Sequence, residues 1–229
     1  MIQPTITDVF FDLDHTLWDF DRNSGLALER VFKRFSVGIP LASFLKVYEP
    51  INFNYWREFR EERVTKTQLR RGRLIDSFSK LGVTYDMQII DGMSDAYIEE
   101  LPNNNYLFDG TFELLEYLKE KYTLHIITNG FSQVQFIKLE KSKLAPFFAT
   151  VTSSEEVGVK KPNPLVFTTA LAKAGVSAPS SVMIGDTFDA DILGAEGVGM
   201  DTIFFNYRKE TPKEGYKVVD YLLEIKDLL

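Results

Sequence analysis

Polar and apolar positions divide the chain into stretches of different rhythm. "TDVFFD", residues 7–12, is a short continuous apolar run of Val9, Phe10 and Phe11 closed by an acid. Such a run suits a strand covered on both faces, as in a parallel sheet. The next stretch is helical. "NSGLALERVFKRF" repeats apolar residues at helical spacing, with Asn23 or Ser24 as the expected N-cap. "LASFLKVYEPINFNYWREFREER" is helix-like, with Pro50 expected to kink or break it. "TKTQLRRGRLIDSFSKLG" opens on a capping Thr65 and stops at Gly82, and "TYDMQIIDGMSDAYIEEL" is a fourth helical segment.

Pro102 and the asparagines of "PNNNYLFDG" mark a connection, and beyond it two rhythms alternate. "TFELLEYLKEKY" reads as helix, "TLHIITNG" as strand, "SQVQFIKLEKSKL" as helix and "FFATVTS" as strand. "NPLVFTTALAKAG" is then helix, "SVMIGD" strand, "DILGAEGVG" a short helix and "DTIFFN" strand, with an edge strand and a helix in "YKVVDYLLEIKDLL". This alternation predicts an α/β fold, a doubly wound parallel sheet carrying an inserted four-helix cap after its first strand. The expected core is residues 1–18 and 103–229, and the expected cap is 19–102.

Composition narrows the function. The chain has 229 residues with 26 Lys plus Arg against 33 Asp plus Glu, a net charge of −7. That balance argues against nucleic acid or a membrane surface as partner, though not against a small anion reached through a bound metal. Cysteine is absent, which removes disulfides and thiolate metal sites. No run has the length of a membrane span, and "MIQPTITD" lacks the basic and apolar regions of a secretory leader, so a cytoplasmic protein is expected.

In a doubly wound sheet, ligands bind beyond the carboxyl ends of the strands. The residues expected there are Asp12, Asp14 and Thr16 after the first strand, and Thr128, Asn129 and Gly130 after the second. Lys160 and Lys161 follow the third, and Asp186, Asp189 and Asp191 follow the fourth. Each alone has an ordinary structural explanation: a turn, a helix cap, a solvated lysine. Their conjunction on one sheet edge does not. Gathered carboxylates repel unless a cation joins them, and an all-oxygen set selects Mg²⁺. Asp12 and Asp186 are the expected side-chain ligands, with Asp14 lending its backbone carbonyl. Mg²⁺ readily takes a phosphate oxygen, so phosphoryl transfer follows. Asp12 is then the nucleophile, Asp14 the general acid and base, and Lys161 the charge that offsets repulsion from the phosphate. Thr128 and the Asn129 amide would hold phosphoryl oxygens. Asp191 would orient Lys161, and Asp189 would be peripheral.

These residues resemble the motifs of the haloacid dehalogenase-superfamily phosphatases over essentially the whole chain: "DLDHT", "TN", "KKP" and "GDTFDAD". In that family the lysine directly precedes the proline, which selects Lys161 over Lys160. The true dehalogenases lack the second aspartate of the first motif, so Asp14 implies a phosphatase. His15 departs from the glycine usual in many members. The insert resembles the helical cap of subfamily I, which in that family closes over the site and sets specificity. "FDLDHTLWDFDRNS" with the cap sequence is similar to the pyrimidine nucleoside 5′-monophosphatase branch, the house-cleaning nucleotidases. That resemblance implies a small phosphorylated metabolite, a nucleotide, as substrate. Trp18, Phe20, Asn52, Trp56 and Arg73 are then candidates for base recognition, although aromatics at helical spacing more often form a cap's own core. The alternatives are a sugar-phosphate or phosphoglycolate phosphatase, a phosphomutase of the same fold, and a phospho-accepting signalling module, which would be shorter and lack the insert.

Overall fold

The computed structural model describes residues 5–211 and 214–229. The first four residues of the stretch read as lacking a leader lie outside the described residues. The chain forms two compact units, Met1–Phe20 with Asn105–Leu229, and Asp21–Asn104.

The first unit is built on six parallel strands: β1 (Asp8–Phe11), β2 (Thr123–Thr128), β3 (Thr150–Ser153), β4 (Ser181–Gly185), β5 (Asp201–Phe205) and β6 (Lys217–Val219), in the order β3-β2-β1-β4-β5-β6. β1 is wholly buried and is flanked by β2 and β4, with Phe11 opposite both Ile126 and Ile184. That register is set by side-chain alternation, because a slip of one residue would turn every side chain to the other face. It also brings the carboxyl ends of β1, β2 and β4 level. Helices cover both faces, as the apolar strands require.

The second unit holds four helices: α1 (Phe20–Arg34, whose first residue belongs to the first unit), α2 (Leu41–Arg60), α3 (Lys66–Lys80) and α4 (Met87–Glu100). The Thr65 cap forms as expected, as a reciprocal capping box with Gln68. One expectation fails here. α1 begins at Phe20, so Asn23 and Ser24 lie inside it, buried, and the Ser24 hydroxyl pairs with Tyr97 (2.8 Å) instead of capping. Pro50 does not break α2. Its position is exposed, so water can take the carbonyl that its missing N–H leaves free, while Phe44, Tyr48, Asn52 and Phe59 bury the opposite face.

The remaining helices belong to the first unit: α5 (Thr111–Lys119), α6 (Ser132–Lys141), α7 (Ser154–Val157), α8 (Pro164–Ala174) and α9 (Leu193–Glu196). A π-helical turn, Phe188–Ile192, precedes α9, and the expected closing helix is a 3₁₀ helix at Leu222–Asp227.

Candidate active site

β1 ends in a turn that folds back on the Leu13 carbonyl, which accepts from the Leu17 and Trp18 amides (3.0 and 2.9 Å). His15 in this turn has φ +65°, a left-handed conformation open to glycine and tolerated by histidine more than by most residues. This accounts for glycine being usual at the position, and His15 is held there by the Tyr207 hydroxyl at Nδ1 (2.7 Å). Burial first, then Arg208 and Lys138, lowers its pKa well below the usual histidine range, so the ring is neutral.

Asp12 and Asp14 leave this turn in different company. Lys161 Nζ, fully buried, donates to Asp12 Oδ1 (2.6 Å) and the Ile127 carbonyl (2.8 Å), and ion-pairs with Asp191 Oδ1 (2.8 Å). An ammonium has three protons, so all are committed and Lys161 acts as a fixed point charge. Asp191 also accepts the Thr187 amide at Oδ2 (3.0 Å), and the π-helical turn brings it against Gly185. A Cβ on Gly185 would come within 2.4 Å of Asp191 Oδ2, so only glycine permits this approach. Asp186 accepts a long contact from the Thr16 hydroxyl (3.4 Å).

One carboxylate oxygen from each of Asp12, Asp186 and Asp191 lies within 4.8 Å of the others. Three acids stand against the Lys161 ammonium, with Arg208 also acting on Asp186, so acidic groups remain in excess. Burial therefore raises Asp12 to about 7, with Asp191 adding to the rise and Lys161 opposing it. Asp186 is pushed well above the carboxylate range, by burial and then by Asp191 and Asp12. Lys161 loses by burial, but Asp12 and Asp191 more than reverse that. A dication fits this charge excess and this oxygen donor set. Burial thus opposes ionisation of Asp12, and a dication would favour it.

At β2, Thr128 Oγ1 accepts from Gln135 Nε2 (2.7 Å) and the Gly130 amide (3.1 Å). Both lone pairs are thus occupied and the O–H is left to donate, as a phosphoryl oxygen needs. The Asn129 amide behaves otherwise. It donates one N–H to the Lys161 carbonyl (3.1 Å) and accepts the Lys161 amide (2.9 Å), so it anchors the lysine loop with a second N–H still to give. Asp189 is exposed, as befits a peripheral residue.

The candidates for base recognition belong to both units. Trp18 is wholly buried in the first unit, with Lys138 Nζ 4.1 Å from its ring centre, so its face is already covered. Phe20 is buried beside it. Asn52 and Arg73 are buried in the helical unit and turned on each other (Arg73 Nη1 to Asn52 Oδ1, 3.0 Å), with the guanidinium over Tyr97. Trp56 is half-buried, edge-on to Phe59.

Two residues escaped the sequence reading. Gln135 and Lys138, both buried on α6, meet the Asp14 carboxylate: Nζ to Oδ1 (2.6 Å) and Nε2 to Oδ2 (3.0 Å). Their signal was a lysine four residues after Val134, inside the apolar stripe of the helix.

Residues 9–205 match the family described as haloacid dehalogenase-like hydrolase. The chain is 34% identical to the pyrimidine 5′-nucleotidase YjjG of Escherichia coli strain K12 over 225 residues, 96% of each chain. It is 32% identical to the pyrimidine 5′-nucleotidase PynA of Streptococcus pneumoniae, over 86% of this chain and 83% of that one. Among solved structures it is similar to the Bacillus subtilis HAD-hydrolase YfnB bound to magnesium, with TM-score 0.89 and 28% identity, covering 98% and 99% of the two chains.

Proposed function

Since the chain belongs to the haloacid dehalogenase-like hydrolases and hydrolyses phosphomonoesters, we propose that its substrates are pyrimidine nucleoside 5′-monophosphates, cleaved through an aspartyl phosphate on Asp12 with Mg²⁺ bound among Asp12, Asp14 and Asp186. The observation that carries the mechanism is the juxtaposition of Asp12 with Lys161, Asp186 and Asp191 beside a second, separately held carboxylate, Asp14. The substrate class is supported by the two nucleotidase relatives, and the metal by the oxygen-only donors and by the magnesium-bound relative.

Asp12 attacks phosphorus through a carboxylate oxygen. The bond from phosphorus to the ester oxygen breaks, and that oxygen takes its electron pair and a proton from Asp14. Asp14, now ionised, takes a proton from water as the water oxygen attacks the aspartyl phosphate. Inorganic phosphate leaves and Asp12 is regenerated. Lys161 keeps its charge beside Asp12 throughout, and the Thr128 O–H meets a phosphoryl oxygen. Bound Mg²⁺ would supply charge neutralisation between the carboxylates and the phosphoryl oxygens. Asp191 orients Lys161.

The test is phosphate release across nucleoside monophosphates and sugar phosphates. Pyrimidine 5′-nucleotides are expected to turn over best, EDTA to stop turnover and Mg²⁺ to restore it. Asp12→Asn is expected to abolish turnover in a folded protein, and retained activity in that variant would remove the nucleophile assignment.

A further inference from the structure

Asp14 is held more tightly than an acid that merely lines a cleft. Each carboxylate oxygen has its own donor from α6, Lys138 at Oδ1 and Gln135 at Oδ2. Lys138 is 1% exposed, and its ammonium lies over the rings of Trp18 (4.1 Å) and Phe20 (5.2 Å). Aromatic faces attract a cation, so the bed on which Lys138 rests comes from the turn that carries Asp14 and from the first residue of α1. Gln135 uses its second N–H on Thr128, tying the same carboxylate to the tip of β2. A Cβ at Gly130 would come within 2.4 Å of the Gln135 side chain, so the glycine makes room for this arrangement.

We propose that Lys138, seated on Trp18 and Phe20 and assisted by Gln135, is a positioning residue that fixes the orientation of the Asp14 carboxyl for proton transfer to the leaving group. Buried so deeply, the ammonium works through Asp14 rather than on the phosphate. The ammonium fixes Oδ1 and the amide fixes Oδ2, so the carboxyl keeps one orientation as it passes its proton to the leaving group. As the phosphorus–ester bond breaks, the electron pair goes to the ester oxygen, which receives that proton. The inference rests on the acid–base role of Asp14 given above.

Leaving groups discriminate. An alkoxide must be protonated as it departs; p-nitrophenolate hardly needs it. In the Mg²⁺-loaded enzyme, kcat/KM is measured for a nucleoside 5′-monophosphate and for p-nitrophenyl phosphate. Lys138→Met is expected to lower the first about a hundredfold and the second less than about tenfold, since positioned proton transfer is worth that order. In an Asp14→Asn background, Lys138→Met should add no further loss, because coupled residues are not additive. Equal losses for both esters, additive losses in the double variant, or a raised KM with kcat retained would each overturn the proposal. If Lys138→Met does not fold, Gln135→Met is read the same way and must show the same dependence on leaving group. Full alkyl-ester turnover in Asp14→Asn would instead remove the acid–base role itself, which separates the two failures.

Discussion

Lys161 illustrates how much of the site is settled by valence at a single residue. Three N–H bonds are available and three acceptors surround the nitrogen, two of them carboxylates. The lysine therefore neither swings nor binds substrate by hydrogen bond; it fixes charge. Lys161→Met leaves Asp12 and Asp191 buried without their counter-charge. Such a loss is expected to cost about 3 kcal/mol or more in chemical denaturation of the metal-free protein, and to abolish turnover. A variant of unchanged stability would show that water already solvates the pair. The Asn129 amide belongs to the same account. Its two bonds to the Lys161 backbone hold the loop that delivers the lysine.

At the scale of elements, the sheet carries a second polar system at the opposite ends of its strands. His125 on β2 bonds Asp8 on β1 (Nε2, 3.0 Å) and Thr150 on β3 (Nδ1, 2.8 Å), and its ring stacks on Phe10. Its neighbours give His125 a structural role, the joining of three strands across a buried layer. His125→Leu strands Asp8 Oδ1 and the Thr150 hydroxyl, while Asp8 Oδ2 keeps its bond from the Thr7 hydroxyl (2.6 Å). The expected cost is about 1–3 kcal/mol, read as a lower melting temperature, with turnover per folded molecule unchanged. Loss of activity without loss of stability would contradict this. The tips of β1, β2 and β4 differ in kind. They carry polar groups that are costly to bury, and packing gives them specific partners: Lys161 for Asp12, α6 for Asp14 and Thr128, and Thr16 for Asp186.

For the whole molecule, the clustered acids link pH, metal and stability. Asp12, raised to about 7, and Asp186, raised well above its ordinary value, hold protons that the unfolded chain has already released above pH 4 or so. Between those limits the folded state binds more protons, so their contribution to stability falls as pH rises. A dication competes for the ionised carboxylates and reverses the trend. The increase in melting temperature on adding Mg²⁺ should therefore be larger near about pH 8 than near about pH 5.5. An increase independent of pH would mean that the acids are already ionised without metal.

Much of this protein was legible in one dimension. The continuous apolar strands and the change of rhythm near Pro102 determined a parallel sheet, because buried strands and amphipathic helices differ in period, and period survives without coordinates. The acids after β1 and β4 could be found because such sheets present ligand groups at one edge. The partners of those groups could not. Asp14 meets Lys138 and Gln135 across more than a hundred residues of sequence, the Trp18 ring lies under the Lys138 ammonium, and Pro50 stays inside its helix. In each case the outcome depends on which surface is buried and what faces it, and burial is a property of the packed chain, not of any segment of it.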